Sequence, residues 1–340
     1  MQKDNMQQNS QLSRRGLFGA AALAGVAASL NTTLLRGETP ATATRASKPI
    51  QGAGAYAFKV GSIEVAVVSD GSFPANPKAW FPKTTDEERA AAMKNAFVET
   101  DAVPTHVNTL LIRSGSEVSL IDTGCGTIFG PSVGKAVENL ARLGVTPDDV
   151  TTVVITHLHG DHFGGLLASD GSLVFKNAQV VISAPEIAFW EGAADLSKSL
   201  IDKETGATFA AGAKKTIESL KKSGRLVEGV PEKDVALGVS LVAAPGHTPG
   251  HSVIQVASGD SMLLYLSDTL HSPALQLRNV DWHMVFDVDP AQAVETRKKL
   301  LDHAARNRLL IAGSHIPFPA IGHLEKISSG YALVPSVWDW

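Results

Sequence analysis

A single cysteine in 340 residues, Cys125, excludes an internal disulfide and any metal site built from clustered thiolates. It reads as a small buried packing residue. Charge is scarce too: 19% of residues are charged against 44% hydrophobic, the opposite of the composition that keeps a chain unfolded, so a large core can be buried. The formal net charge of −4 gives no long-range attraction for nucleic acid, which argues against a nuclease and leaves a small, mostly uncharged substrate. Beyond the N-terminal region no segment has the uninterrupted apolar length of a membrane span, and neither a short repeat nor a second domain can be read.

The N-terminus carries Ser13, Arg14, Arg15, Gly16, Leu17 and Phe18, followed by a small-residue-rich apolar stretch over 17–30 that is too short to cross a bilayer. This pattern predicts an export signal of the twin-arginine type over 1–43, with the translocation machinery of that route as a partner and a periplasmic or secreted product. Ala41, Thr42, Ala43 is one small-residue cleavage site and Val26, Ala27, Ala28 a rival. Residues 44–55, rich in Thr, Ala, Pro and Gly, read as a linker, and 56–340 as the catalytic domain.

Within that domain β-branched, alternating runs over 58–69 and 106–122, punctuated by Gly61, Gly71 and Gly115, predict strands and hairpins, with a helix over 86–97 between them. Helix over 131–143 and strand over 150–155 follow, then strand 179–183 and helix 185–190. The second half echoes the first: strands over 239–244, 252–257 and 262–266, a helix over 290–305 opened by Pro290, and a last strand over 309–312. Two related halves packing sheet on sheet, with helices outside, is the expected arrangement.

The chemistry is concentrated after the apolar run Val153, Val154, Ile155, where His157, His159, Asp161 and His162 place four metal-binding side chains in six positions. Imidazole and carboxylate suit Zn²⁺ or a similar divalent ion, and the surplus over one tetrahedral shell suggests two ions. Such a cluster without a cation would cost desolvation energy with nothing returned. Three later strand ends carry further candidates: His247 in Gly246, His247, Thr248, Pro249, Gly250, His251; Asp268 after Leu264, Tyr265, Leu266, Ser267; and His315 after Ile311, Ala312, Gly313, Ser314. An aspartate there can bridge two cations, one oxygen to each. His106, His251 and His323 are ambiguous on sequence alone, and His283 and His303 look incidental.

The ordered set HxHxDH, distal His, Asp and final His resembles the metallo-β-lactamase superfamily, and Leu120, Ile121, Asp122, Thr123, Gly124 resembles its strand-end DTG element. The resemblance implies an α/β four-layer αββα sandwich. It implies that His157, His159 and His247 hold one metal, that Asp161, His162 and His315 hold the other, and that Asp268 and a hydroxide lie between them, making Asp161 and Asp268 the catalytic carboxylates. Zinc is the first choice of metal, with manganese, cobalt or iron as alternatives. Asp122 is assigned behind the ligands, accepting from a ligand histidine. True zinc β-lactamases of the superfamily use a cysteine where Asp268 stands, and flavo-diiron proteins a glutamate where His159 stands, so neither activity is implied.

More narrowly, Phe129, Gly130, Pro131; Phe189, Trp190; the 247–251 run; and Ser314, His315, Ile316, Pro317, Phe318, Pro319 with Ile321, Gly322, His323 resemble the methyl parathion hydrolase group and its related lactonases and esterases. In that group aromatic rings line the leaving-group pocket, and Phe129, Trp190 and Phe209 are the matching candidates. His271, three residues after Asp268, is placed to touch substrate. Gly160 stands where the group has proline, and Asp268 is followed by Thr269, Leu270, His271, departures that lean toward lactones over phosphotriesters. The function implied is a dinuclear metallohydrolase of lactones or aryl esters, with phosphotriesters on the same site. The alternatives are an acyl-homoserine lactonase and, from another class, a non-catalytic periplasmic metal-binding protein. A second copy of the chain is the candidate protein partner.

Overall fold

The computed structural model describes residues 54–98 and 101–337; the export-signal reading, and the linker reading up to residue 53, lie outside the described residues. Two seven-stranded sheets organise them. The first runs in sequence order through β1 (Ala55–Val60), β2 (Ile63–Ala75), β3 (Val103–Ser114), β4 (Glu117–Ile121), β5 (Thr152–Ile155), β6 (Gln179–Ser183) and β7 (Leu226–Gly229). β1 to β4 are antiparallel, and β4 to β7 run parallel. The second contains β8 (Asp234–Ala236), β9 (Val239–Ala243), β10 (Ser252–Ser258), β11 (Ser261–Tyr265), β12 (Leu310–Ala312), β13 (Ile321–Ile327) and β14 (Gly330–Pro335), again in sequence order, with β11 and β12 its parallel pair.

The helices are α1 (Pro77–Trp80), α2 (Asp86–Asn95), α3 (Ala136–Arg142), α4 (Gly160–Phe163), α5 (Ala184–Glu191), α6 (Lys203–Lys222), α7 (Pro273–Gln276) and α8 (Pro290–Arg306). Alternation along the strands sorts the apolar residues into two layers. Val65, Val67, Leu110, Ile112, Ile121, Val154 and Val181 meet Leu241, Val253, Leu263 and Ile311 of the second sheet, forming the core between sheets. Their neighbours Ala66, Val68, Leu111, Leu120, Val153, Ile155, Val180 and Ile182 point the other way, against Leu140 of α3, Ile187 and Trp190 of α5, and Ala213, Ile217 and Leu220 of α6. Leu301 and Ala304 of α8 cover the second sheet. The result is the expected four-layer αββα sandwich.

Several boundaries differ from the sequence reading. The helix expected over 131–143 is only Ala136–Arg142, because Gly130 and Gly134 take φ of 85° and 77°, which no helix accommodates. The first strand opens at Ala55, inside the stretch read as linker. The sequence pattern marks neither strands β7, β8, β13 and β14 nor helix α6. A third apolar cluster, centred on Phe81, Val103, Leu275 and Met284, joins α1 and α2 to α7 and the loop that follows it. No helix among the described residues is long and apolar enough to cross a membrane.

Candidate metal centre

The site is assembled where strands stop. β5 delivers Thr156, His157 and His159 into the single turn of α4, which carries Asp161 and His162. His247 lies on the turn between β9 and β10, where Gly246 takes φ 129° and an added Cβ would stand 2.2 Å from the amide of Ala293. Gly250 is equally confined, since a Cβ there would lie 2.1 Å from the amide of Glu186. Asp268 sits in a 3-10 turn after β11, and His315 follows β12. Asn108 of β3 fastens that last loop, its side-chain amide donating to the carbonyls of Ser314 and Ile316 at 2.9 Å each.

All seven predicted ligands converge. His157, His159, His247 and Asp268 offer donor atoms within 4.8 Å of one another, and Asp161, His162 and His315 do the same. The Nε2 atom of His247 lies 3.2 Å from Nε2 of His157 and 2.9 Å from Nδ1 of His159. Asp268 turns one oxygen to each group: Oδ2 is 3.3 Å from His247 Nε2 and 3.6 Å from His157 Nε2, while Oδ1 is 3.0 Å from His162 Nε2 and 3.2 Å from His315 Nε2. Asp161 Oδ2 completes the second group, 3.5 Å from His315 Nε2 and 3.7 Å from His162 Nε2.

The residues fit a pair of cations. Nitrogens bound tetrahedrally at 2.0–2.1 Å stand about 3.3 Å apart, close to these spacings. His162 Nε2 and Asp268 Oδ1 are buried, adjacent and without a hydrogen-bond partner, as expected of two atoms aimed at a common third point. The opposite ring nitrogens are occupied. His162 Nδ1 donates to Asp122 Oδ2 at 2.8 Å, His247 Nδ1 to Asp287 Oδ1 at 2.8 Å, and His315 Nδ1 to the carbonyl of His106 at 2.7 Å. These bonds leave lone pairs facing inward, which only a cation or protons can bring together. Asp122 thus stands where the sequence reading placed it.

Electrostatics of the metal-free site tell the same story. Burial alone would raise the Asp268 carboxyl, but the imidazoles around it, His162 foremost, hold it well below the usual carboxylate range. Burial opposes charge on His247 as well, yet Asp268 and Asp287 push it up to about 9. His157 and His159 go the other way, driven down by burial and by neighbouring imidazoles. Protons therefore stand in for cations at some positions and are refused at others. Cys125 is buried, and its thiol is pushed up by that burial first and by Asp161 next, so it stays protonated.

A narrow cavity of about 90 Å³ opens onto the cluster, with His159, Asp161, His247, Asp268 and His271 at its floor and the rings of Phe73, Trp80, Phe129, Phe209 and Phe286 as walls. Phe129 stacks on Phe73 with centroids 5.7 Å apart, and Phe209 lies 5.0 Å from the His159 ring. His271 has neither ring nitrogen hydrogen-bonded, although its Nε2 comes within 3.2 Å of Asp268 Oδ2; burial pushes it down to about 4, so it faces the cavity neutral. Trp190 is placed differently from the expectation. It is buried behind His159, 6.0 Å ring to ring, and its indole donates to Glu186 at 2.7 Å. The apolar body fills the core of the outer layer, so it backs a ligand and does not line the cavity.

Sequence reasoning missed Phe73, Trp80 and Phe286 as walls, Asp287 behind His247, and Glu186, and it left open the role of His251, which lies under Asp268. No spacing marks them: Glu186 reads as an ordinary acid in a helix's first turn, and Phe286 and Asp287 stand in a loop whose path only the fold reveals.

Residues 102–315 match the model of the metallo-beta-lactamase superfamily. The chain is 28% identical over 274 residues to the probable metallo-hydrolase YqjP of Bacillus subtilis (strain 168), covering 75% of this chain and 77% of that protein. Among solved structures, AidC, a dizinc quorum-quenching lactonase in complex with a product, aligns with a TM-score of 0.80 at 26% identity, over 84% of this chain and 98% of AidC. The hydrolase AbOPH aligns with a TM-score of 0.78 at 29% identity, over 85% of this chain and all 100% of AbOPH.

Proposed function

The chain belongs to the metallo-beta-lactamase superfamily, and on that premise we propose that it is a hydrolase of lactones and aryl esters working with two divalent cations, zinc first among them. The observation that carries this reading is Asp268, which directs one oxygen to each of two imidazole clusters on the floor of an aromatic-walled cavity. Two cations held there would supply a solvent nucleophile at neutral pH and stabilise the negative charge that develops on the attacked group. The dizinc description of AidC supports the pair.

The protein's own groups do the rest. The rings of Phe73, Trp80, Phe129, Phe209 and Phe286 exclude water and hold the apolar part of a substrate. Among the described residues no lysine or arginine lines the cavity, so its walls favour neutral, apolar substrate groups and leave any negative charge to the cations. His271, neutral and with free ring nitrogens, is placed to hydrogen-bond a substrate oxygen beside Asp268. Phosphotriesters, also neutral, remain a substrate class for the same site. An acyl-homoserine lactonase is the second reading, favoured by the alignment with AidC. Export through the twin-arginine route, on the Ser13–Phe18 pattern, is proposed with it.

The test is turnover of the metal-loaded protein on lactones, aryl esters and phosphotriesters. Lactones and aryl esters should be hydrolysed, with activity lost by at least about a thousandfold on chelation or in Asp268→Ala. A flat response across acyl chain length favours aryl esters; a strong dependence favours the homoserine-lactone reading. Two tightly held cations with no turnover on the whole panel would instead make this a non-catalytic metal-binding protein.

A further inference from the structure

We propose that Glu186 is a positioning residue that sets the spacing between the two loops holding one of the two cations, acting through them without touching a ligand atom. The inference rests on the paired-cation reading above. Glu186 is fully buried in the first turn of α5. Its Oε1 accepts from the amide of Leu158 at 2.8 Å and from the indole of Trp190 at 2.7 Å; its Oε2 accepts from the hydroxyl of Thr248 at 2.5 Å and the amide of Gly250 at 3.1 Å.

Leu158 stands between His157 and His159, and Thr248 follows His247 directly. One carboxylate therefore clamps a loop of the first sheet to a turn of the second, and the three imidazoles on those two segments are the ones that share a single group with Asp268. Four donors and, among the described residues, no cationic side chain face the buried carboxyl group, an arrangement that holds only while all donors keep their directions. The absence of a Cβ at Gly250 is what lets the turn approach this close, and Ser183 adds a bond across the same seam by donating to the Gly250 carbonyl at 2.6 Å. Neither His162 nor His315 is reached by this network; they are held by Asp122 and the His106 carbonyl. Loss of the clamp should therefore weaken one cation and spare the other, whereas a general stabiliser would affect both or neither.

The experiment titrates metal-free wild type, Glu186→Gln, Thr248→Val and Asp122→Asn with Co²⁺ against a competing chelator, following the visible spectrum and, separately, thermal unfolding. In Glu186→Gln one binding step should weaken about 10- to 100-fold while the other stays within about threefold. Thr248→Val should weaken the same step by at least about fivefold, and Asp122→Asn, which disturbs His162 of the other group, should weaken the other step and leave this one within about threefold. Equal weakening of both steps, or unchanged binding with a lowered melting temperature, overturns the proposal. If Glu186→Gln does not fold, Thr248→Val against Asp122→Asn decides, and weakening of the same step by both overturns it. A wild type that binds fewer than two Co²⁺ ions would sink the function reading itself, and is told apart because it needs no variant.

Discussion

Asp122 shows how much one side chain must do at this seam. It adopts φ 59°, a conformation costly for a residue with a Cβ, and from there accepts from the Thr156 amide at 2.9 Å, the Thr156 hydroxyl at 3.0 Å and His162 Nδ1 at 2.8 Å. Asp122→Asn replaces one acceptor oxygen with a donor, so His162 loses its enforced tautomer. Affinity for the more weakened cation should fall about 10- to 100-fold in chelator competition, and an unchanged affinity would show that the bond is incidental. His251 permits a pH prediction. Its Nδ1 donates to the Ala244 carbonyl at 2.9 Å and its Nε2 accepts from the Asp268 amide at 3.3 Å, so both nitrogens are committed to the neutral ring. Burial first, then His247, push it down from 6.5 to about 3 in the metal-free protein. Between those values the unfolded chain binds a proton that the native chain refuses. The contribution is thus complete above pH 6.5 and drains as the pH falls toward about 3, by at most about 1.4 kcal/mol per pH unit. Denaturant unfolding of metal-free His251→Gln should depend on pH less steeply than wild type by about one proton in that window, and parallel curves would refute the assignment.

Short helix α1 roofs the cavity through Trp80, and α2 packs beside α1. Pro77 opens α1 and Thr85 caps α2 in a reciprocal box with Glu88, so the roof is locally well specified. It is held by Phe81, packed at the centre of the third apolar cluster, and by the bond from the Val285 amide to the Trp80 carbonyl at 2.8 Å. Trp80 then meets Phe286 at 5.8 Å and His271 at 6.3 Å, each edge to face. Trp80→Ala should widen the cavity from its about 90 Å³. Bulky lactones should then gain on small aryl esters by about tenfold in the ratio of kcat/KM, and an unchanged ratio would remove Trp80 from the specificity wall. Elements of this kind also mark the limit of what sequence could reveal. The seven candidate ligands follow strands whose apolar runs are continuous, which is why the sequence marks them as candidates. Helix α6 was not, because Gly206 and Gly212 interrupt its propensity; Gly206 is buried and its Cβ would meet Leu196 at 2.7 Å, a close approach that only the fold explains. Edge strands β7 and β8 are short and half exposed, so they lack a hydrophobic signature. Trp190 was misplaced for a related reason: resemblance transfers the residue type, while the direction of the side chain is set by Glu186.

Across the whole molecule the cluster is a junction between two sheets that also meet through an apolar core and through hydrogen bonds such as those of Asn108, Ser183 and Glu186. The first sheet supplies His157, His159, Asp161 and His162, the second His247, Asp268 and His315, and each group of donors contains members of both. Cations bound there favour only the folded state, because the unfolded chain cannot assemble the set. An ion present at a hundred times its dissociation constant stabilises by about 2.7 kcal/mol, so a pair contributes about 5 kcal/mol, a large part of the 5–15 kcal/mol typical of a domain. For a domain of this size about 1 kcal/mol moves the melting temperature by about 2–4 °C, and stripping both ions should lower it by about 10–20 °C. Removing them also uncovers like-facing imidazole lone pairs and leaves His247 to take up a proton, which is released again as the pH rises through about 9. Its folded value lies above the unfolded 6.5, so its contribution is complete below 6.5 and lost as the pH climbs toward 9. Calorimetry of chelated and reloaded protein at pH 7 and 9 should therefore show a larger gap between the two forms at pH 9. A melting temperature indifferent to chelation would mean that no bound cations tie the two sheets together.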